Sequence, residues 1–306
     1  MVDLNGDTLA VLPKSSARPA PPVQRDDQRL PARLLHNPRV LIGGGALAFL
    51  LLTALAAPWL APFDPLDQDL AAQMQHPSSL LLSNGHRLGT DSLGRDVLSR
   101  LIFGTRIALE VAVFAAVPTA ILGTLLGLIA GFFGGAADAL ISRLIDVWTS
   151  FPPVLLSIIL VALIGTGLTS VIIAIIVIDW TRFARVIRAE TMKQRHMDYI
   201  DAAVVAGLAP LTILWREIAP NVLPLVLVLL TLEMGIAVIV EAILSFIGLS
   251  VSTDTPTWGG MIAEGRSVIH QAPWIMVFPM LALLVTVLAL NLLGDGLKAA
   301  LDPVLR

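Results

Sequence analysis

Residues 222–249 read VLPLVLVLLTLEMGIAVIVEAILSFIGL, an apolar stretch whose only charges are Glu233 and Glu241. About 20 helical residues, rising 1.5 Å each, cross the ~30 Å hydrocarbon layer of a bilayer, and this stretch is longer. Working outward, the same texture returns at 40–60, 107–132, 144–164, 170–186 and 274–293. The reading is an all-α membrane protein with six transmembrane helices. Composition agrees: of 306 residues 56% are hydrophobic and 14% charged, against about 25% charged in a soluble domain. The mean hydropathy is +0.83.

The run at 40–61 is read as a retained first transmembrane helix. Its apolar part exceeds the about 7–15 residues of a signal-peptide core, and it starts far from residue 1. Residues 1–39 hold Pro19, Pro21, Pro22, Pro31 and Pro38 among scattered Arg and Asp. They lack the apolar area to fold alone and are expected to form a disordered tail. Residues 62–106 form the first loop. Pro152 and Pro153 must kink the run at 144–164, and Gly123, Gly127 and Gly131 let a second helix approach closely.

Basic side chains stay on the cytoplasmic side of a bilayer. With the amino-terminal tail inside, fifteen of the twenty Lys and Arg fall inside: six in the tail, Arg143, six from Arg182 to Arg216, and two at the carboxyl end. The expected topology is N-in/C-in, with loop 62–106 extracytoplasmic. The formal net charge of −3 offers no basic field for nucleic acid. The absence of cysteine removes disulfides, thiolate metal sites and cysteine nucleophiles.

Between the fourth and fifth runs lies AETMKQRHMDYIDAAVVAGLAPLTILWREIAPN, residues 189–221. Residues 198–206 suit a helix, Gly207 suits the left-handed turn that ends it, and Pro210 suits the start of the next. The second helix, 211–218, ends at Pro220 and puts Leu211, Leu214, Trp215 and Ile218 on one face. A cytoplasmic helical hairpin on the membrane surface is expected.

Asp201-Ala202-Ala203, Gly207 and Ile218-Ala219-Pro220 resemble the EAA loop of ABC importer permeases, with Asp201 where that family usually has Glu and Ala219 where Leu is usual. His86 to Asp91 with Gly94-Arg95-Asp96-Val97, Ser99-Arg100 and Gly104-Thr105-Arg106, Leu244 to Leu249 with Thr255 to Gly259, and Asn291 to Leu297 with Leu301-Asp302-Pro303 resemble the C-type permease of the dipeptide, oligopeptide and nickel importers. The resemblance covers residues 40–306, with 107–306 as the permease transmembrane domain. It implies a multi-pass subunit of the bacterial inner membrane that forms a heterodimer with a homologous permease. It further implies two ATPase subunits carrying ATP and Mg, and an extracytoplasmic solute-binding protein. Tyr199, Asp201, Ala202, Ala203, Gly207, Leu208 and Pro210 would then meet the ATPase, and small peptides are the default solute, with nickel complexes and glutathione as alternatives.

The chain holds no G-x-x-x-x-G-K-[ST] phosphate loop, so ATP chemistry is assigned to partners and no cofactor, metal or catalytic residue to this chain. Gly248-Leu249-Ser250 has no histidine placed to serve Ser250 as a base. Asp146, Asp179, Glu233 and Glu241 lie in or near apolar runs, where an unpaired charge costs at least ~2.5 kcal/mol. They are expected to face the interior, bordering a translocation route or pairing with Arg143 or Arg182. An ion-coupled carrier using Glu233 and Glu241 is the alternative from another class. Arg95 and Asp96 are expected to order the start of the second helix. Trp148, Trp180, Trp258 and Trp274 are expected as interfacial anchors.

Overall fold

Gly123, Gly127 and Gly131 decide how the two central helices meet. A Cβ on Gly127 would stand 2.8 Å from the Ala184 carbonyl oxygen and 2.9 Å from Ile187 Cβ, and one on Gly131 would stand 2.7 Å from the Arg188 carbonyl oxygen. Only hydrogen fits there, so the backbones pack directly along three turns. The partners are α2, Val97–Phe133, and α5, Leu168–Arg195.

The computed structural model describes residues 36–77, 85–251 and 255–301. The expected tail lies almost wholly outside these residues, as does the Asp302-Pro303 motif. The first helix, α1, is Pro38–Leu55, capped by the Asn37 side chain accepting from Arg39 N at 2.9 Å. It packs on the last helix, α9, Trp274–Leu301, where Gly43 abuts the Ala289 and Leu293 backbone and Asn37 donates to the Gly296 carbonyl. The other longer helices are α3, Gly135–Thr149, α4, Pro153–Ile164, α6, Asp198–Val205, α7, Pro210–Phe246, and α8, Trp258–Ser267, with short turns of helix at Ala57–Leu60 and Leu70–Ala72. No strand occurs among the described residues.

Four of these helices, α1, α2, α7 and α9, are long and apolar enough to cross a membrane; five spans result if α3 and α4 together make one. In α5, Asp179, Arg182 and Arg185 interrupt the apolar run. The kink expected at Pro152-Pro153 is a full break, with α3 and α4 meeting at 87°. Two consecutive prolines remove two backbone donors, and the residue before a proline is pushed out of helical geometry, so the chain leaves the helix instead of bending within it.

Three further expectations on local structure are corrected. The second helix of the hairpin does not end at Pro220. Leu214–Ile218 widens into a π turn, with Ala219 N donating to the Leu214 carbonyl, and the helix runs on to Phe246. The wider turn makes room for a ring that would clash with the carbonyl four residues back. The second helix begins at Val97, ten residues before its apolar run, because Asp96 caps it: its carboxylate accepts from Ser99 N at 2.7 Å. Finally, Trp180, Trp258 and Trp274 are buried inside the protein. Their neighbours explain it: Trp258 Nε1 donates to the Leu101 carbonyl and Trp274 Nε1 to the Thr90 carbonyl, both at 3.1 Å.

Candidate functional site: a surface hairpin and buried charge clusters

The chain turns sharply at Gly207, whose φ of +79° favours glycine. Leu208 N donates to the Ala203 carbonyl at 3.2 Å and Gly207 N to Val204 O at 3.0 Å. This 6→1 bond across a left-handed residue closes α6 in a Schellman-type cap. Pro210 then starts α7, where its missing N–H costs nothing. The expected helix, turn, helix over 198–218 is therefore present.

The two alanines of the motif face opposite ways. Ala203 and Ile200 are buried against Ile213, Leu214 and Ile218, and against Leu128 at the end of α2. Asp201, Ala202 and Gly207 are exposed, together with Val204 at 59% and Val205 at 88%. Tyr199 and Leu208 are half-buried at the joint. The Tyr199 hydroxyl donates to Gln194 at 2.7 Å and accepts from Asn221 at 3.4 Å, tying α5, α6 and α7 together. Burial raises the pKa of this phenol above its ordinary value. Leu211 and Trp215, more than half exposed, extend the apolar surface. Such a patch on a protein's surface marks a contact with another molecule.

The four acids in or near apolar runs divide. Asp179, Glu233 and Glu241 are buried, whereas Asp146 is exposed beside the α3–α4 break. Arg182, about half exposed, stands 3.6 Å from Asp179 and 3.7 Å from Glu233, the second contact bridging α5 and α7. Glu241 accepts from Ser245 at 2.6 Å and from Ser250 at 3.2 Å, and Thr257 donates to Ser245 at 3.0 Å. This holds the turn after α7 against the start of α8. Ser250 is thus a ligand of a buried carboxylate at the helix end. No group of His, Asp or Glu among the described residues is arranged to hold a metal ion.

Comparison with known proteins decides the family. The description "Binding-protein-dependent transport system inner membrane component" matches residues 123–306, and "N-terminal TM domain of oligopeptide transport permease C" matches 28–77. The chain belongs to this family of transport permeases. It is 41% identical over 276 residues to the di/tripeptide transport system permease protein DppC of Pseudomonas aeruginosa, covering 89% of this chain and 90% of the relative. The glutathione transport system permease protein GsiD of Pectobacterium atrosepticum is 40% identical over 269 residues, covering 87% of this chain and 88% of the relative. GsiD of Escherichia coli O6:K15:H31 is 42% identical over 257 residues, or 84% of each chain. Among solved structures, a chain of the MetNI methionine ABC transporter in inward-facing conformations superposes with a TM-score of 0.57. It is 19% identical, with 67% of this chain and 97% of that one covered, a likeness of fold. The protein is thus a permease component of an ABC transport system in the inner membrane.

At the end of the permease opposite the hairpin lies a charge cluster that the sequence only half reveals. Asp91 accepts from Arg95 Nε at 2.7 Å and from Arg100. Glu264 of α8 accepts from Arg95 Nη2 at 3.0 Å on both oxygens, and from Arg100 Nη1 at 2.6 Å and Nη2 at 3.0 Å. Arg95 and Asp96 do order the start of α2, as expected, with His86 Nδ1 3.0 Å from Asp96. Sequence reasoning placed Arg100 in the family-like segment without giving it a structural role, and missed Glu264. The signal for Arg100 was present: an arginine inside what becomes a buried helix face requires an acidic partner. Glu264, more than 160 positions away, had no local signal.

Proposed function

We propose that this permease is the membrane subunit of an ATP-driven importer of short peptides, the glutathione tripeptide included. In this reading α1, α2, the broken pair α3–α4, α5, α7 and α9 are six spans, N-in/C-in, with the hairpin in the cytoplasm. A homologous permease completes the channel, two ATPase subunits bind ATP and Mg, and an extracytoplasmic binding protein supplies the solute. The names of DppC and GsiD support the substrate class.

The observation that carries the proposal is the two-sided hairpin: Ala203 and Ile200 pinned to the ends of α2 and α7, with Ala202, Val204 and Val205 left bare. A surface built in this way transmits a push from a partner into the helix bundle, so the ATPase contact is assigned to Asp201, Ala202, Val204, Val205 and Gly207. Tyr199, Ala203 and Leu208 shape the element from within, and Pro210 starts its second helix. Ala202→Arg and Val205→Asp, which change only bare positions, should lower ATP-dependent peptide uptake about tenfold or more while leaving insertion and binding-protein docking intact. Undiminished uptake in both variants refutes the assignment. Uptake by this chain alone in vesicles without ATPases would favour the ion-coupled carrier instead.

A further inference from the structure

The four-residue cluster opposite the hairpin is built in two unequal parts. Asp91, Arg95 and Arg100 are buried, at 0%, 5% and 2% exposure, and belong to one continuous segment at the start of α2. Asp91 holds both guanidinium groups whatever happens elsewhere. The fourth member, Glu264, comes from α8, and its side chain is 31% exposed. Two forks therefore converge on a single carboxylate that sits at the rim and arrives on a separate element. Planar guanidinium pairs of this kind recognise carboxylate geometry. Arg100 Nε is in addition buried without an acceptor, a donor that the chain itself leaves unused.

Charge defines what could replace Glu264. With it the cluster is neutral; without it, one positive charge stays buried beside Asp91. Lifting α8 away unaided would strand that charge, whereas exchanging one carboxylate for another conserves the charge-assisted bonds. We propose that Arg95 and Arg100 form a carboxylate seat, occupied at rest by Glu264 as a tethered stand-in, and that the terminal carboxylate of a peptide displaces it and frees α8. The peptide assignment rests on the importer reading above; the seat itself does not.

The chain has no cysteine, so Met261→Cys, on the buried face of α8, gives a single thiol in this subunit. The permease is assembled with its partners in proteoliposomes, and that thiol's reaction with a membrane-impermeant maleimide is timed without ATP. Sodium acetate should speed labelling about threefold relative to sodium chloride of equal ionic strength. Glu264→Gln should label fast in either salt, and Glu264→Asp should regain the acetate response. Dialanine should act like acetate, and its C-terminal amide should not. Acetate no better than chloride, or Glu264→Gln labelling at the rate of the Met261→Cys parent, overturns the seat. Dialanine no better than its amide overturns the peptide assignment. None of these readings needs transport; failure of the importer reading shows separately, as the absence of ATP-dependent uptake in the unmodified transporter.

Discussion

Gly207 carries the sharpest single constraint in the hairpin. A Cβ there would meet nothing within 4 Å, so the cost of Gly207→Ala comes from the backbone alone, about 1 kcal/mol for a left-handed residue. Thermal unfolding in detergent should fall slightly, with most uptake retained. Gly207→Pro forces φ to about −65°, against the observed +79°, and should abolish uptake. Tyr199 makes a second test. Tyr199→Phe removes the bonds to Gln194 and Asn221, a loss of about 1 kcal/mol. The folded state holds the phenolic proton more tightly than the unfolded chain does. Its contribution is therefore complete below the ordinary phenol pKa and is lost as pH rises through the raised value. Unfolding curves of the parent and Tyr199→Phe should diverge at neutral pH and converge in strong alkali.

At the scale of elements, the α2–α5 seam is the most demanding contact. Gly127→Val would drive methyl groups into the Ala184 carbonyl and Ile187; overpacking of this kind costs about 1–3 kcal/mol, and detergent-solubilised yield and melting temperature should both drop. Gly44, whose Cβ would meet nothing, is the control, and Gly44→Ala should be silent. Helix positions were legible in the sequence because apolar length and the glycine spacing act locally. The hairpin was legible for the same reason, Gly207 and Pro210 each specifying its own backbone geometry. What stayed hidden depends on contacts across the chain. The amino-terminal turns of α2 carry Arg100 and Arg106 ahead of the apolar run, and are held in place by the Asp96 cap and the distant Glu264. Helix α8, with Gly259 against Ala242 and Gly265 against Met276, exists only through what it packs on. The inward turn of Ala203 likewise needs the partner side chains, since two neighbouring alanines read alike until one is covered.

For the whole molecule, the proposed orientation separates two surfaces. In a chain with no cysteine, single cysteines at exposed Arg87 and Val205 should react with an impermeant thiol reagent from opposite sides of the membrane, Arg87→Cys in intact cells and Val205→Cys only in inverted vesicles. Labelling of both from one side would remove the six-span topology. Of Asp179, Glu233 and Glu241, the three buried acids of the apolar runs, Glu233 is the one in contact with a cation on another helix, through Arg182. Glu233→Gln should loosen α5 from α7, whereas Glu241→Gln, which keeps hydrogen-bonding capacity toward Ser245 and Ser250, should be milder. Comparison of the two melting temperatures checks the order.

The length of α7, which continues through its π turn, has a mechanical result. From Pro210 to Phe246 the helix has 37 residues, which at 1.5 Å each is a rod about 55 Å long. Its near end is half of the hairpin, and its far end meets the turn that leads to Glu264. A tilt of about 5° about one end carries the other through about 5 Å, roughly the width of a small peptide's backbone. In the proposed orientation, a rod gripped on one face of the membrane would set the aperture on the other.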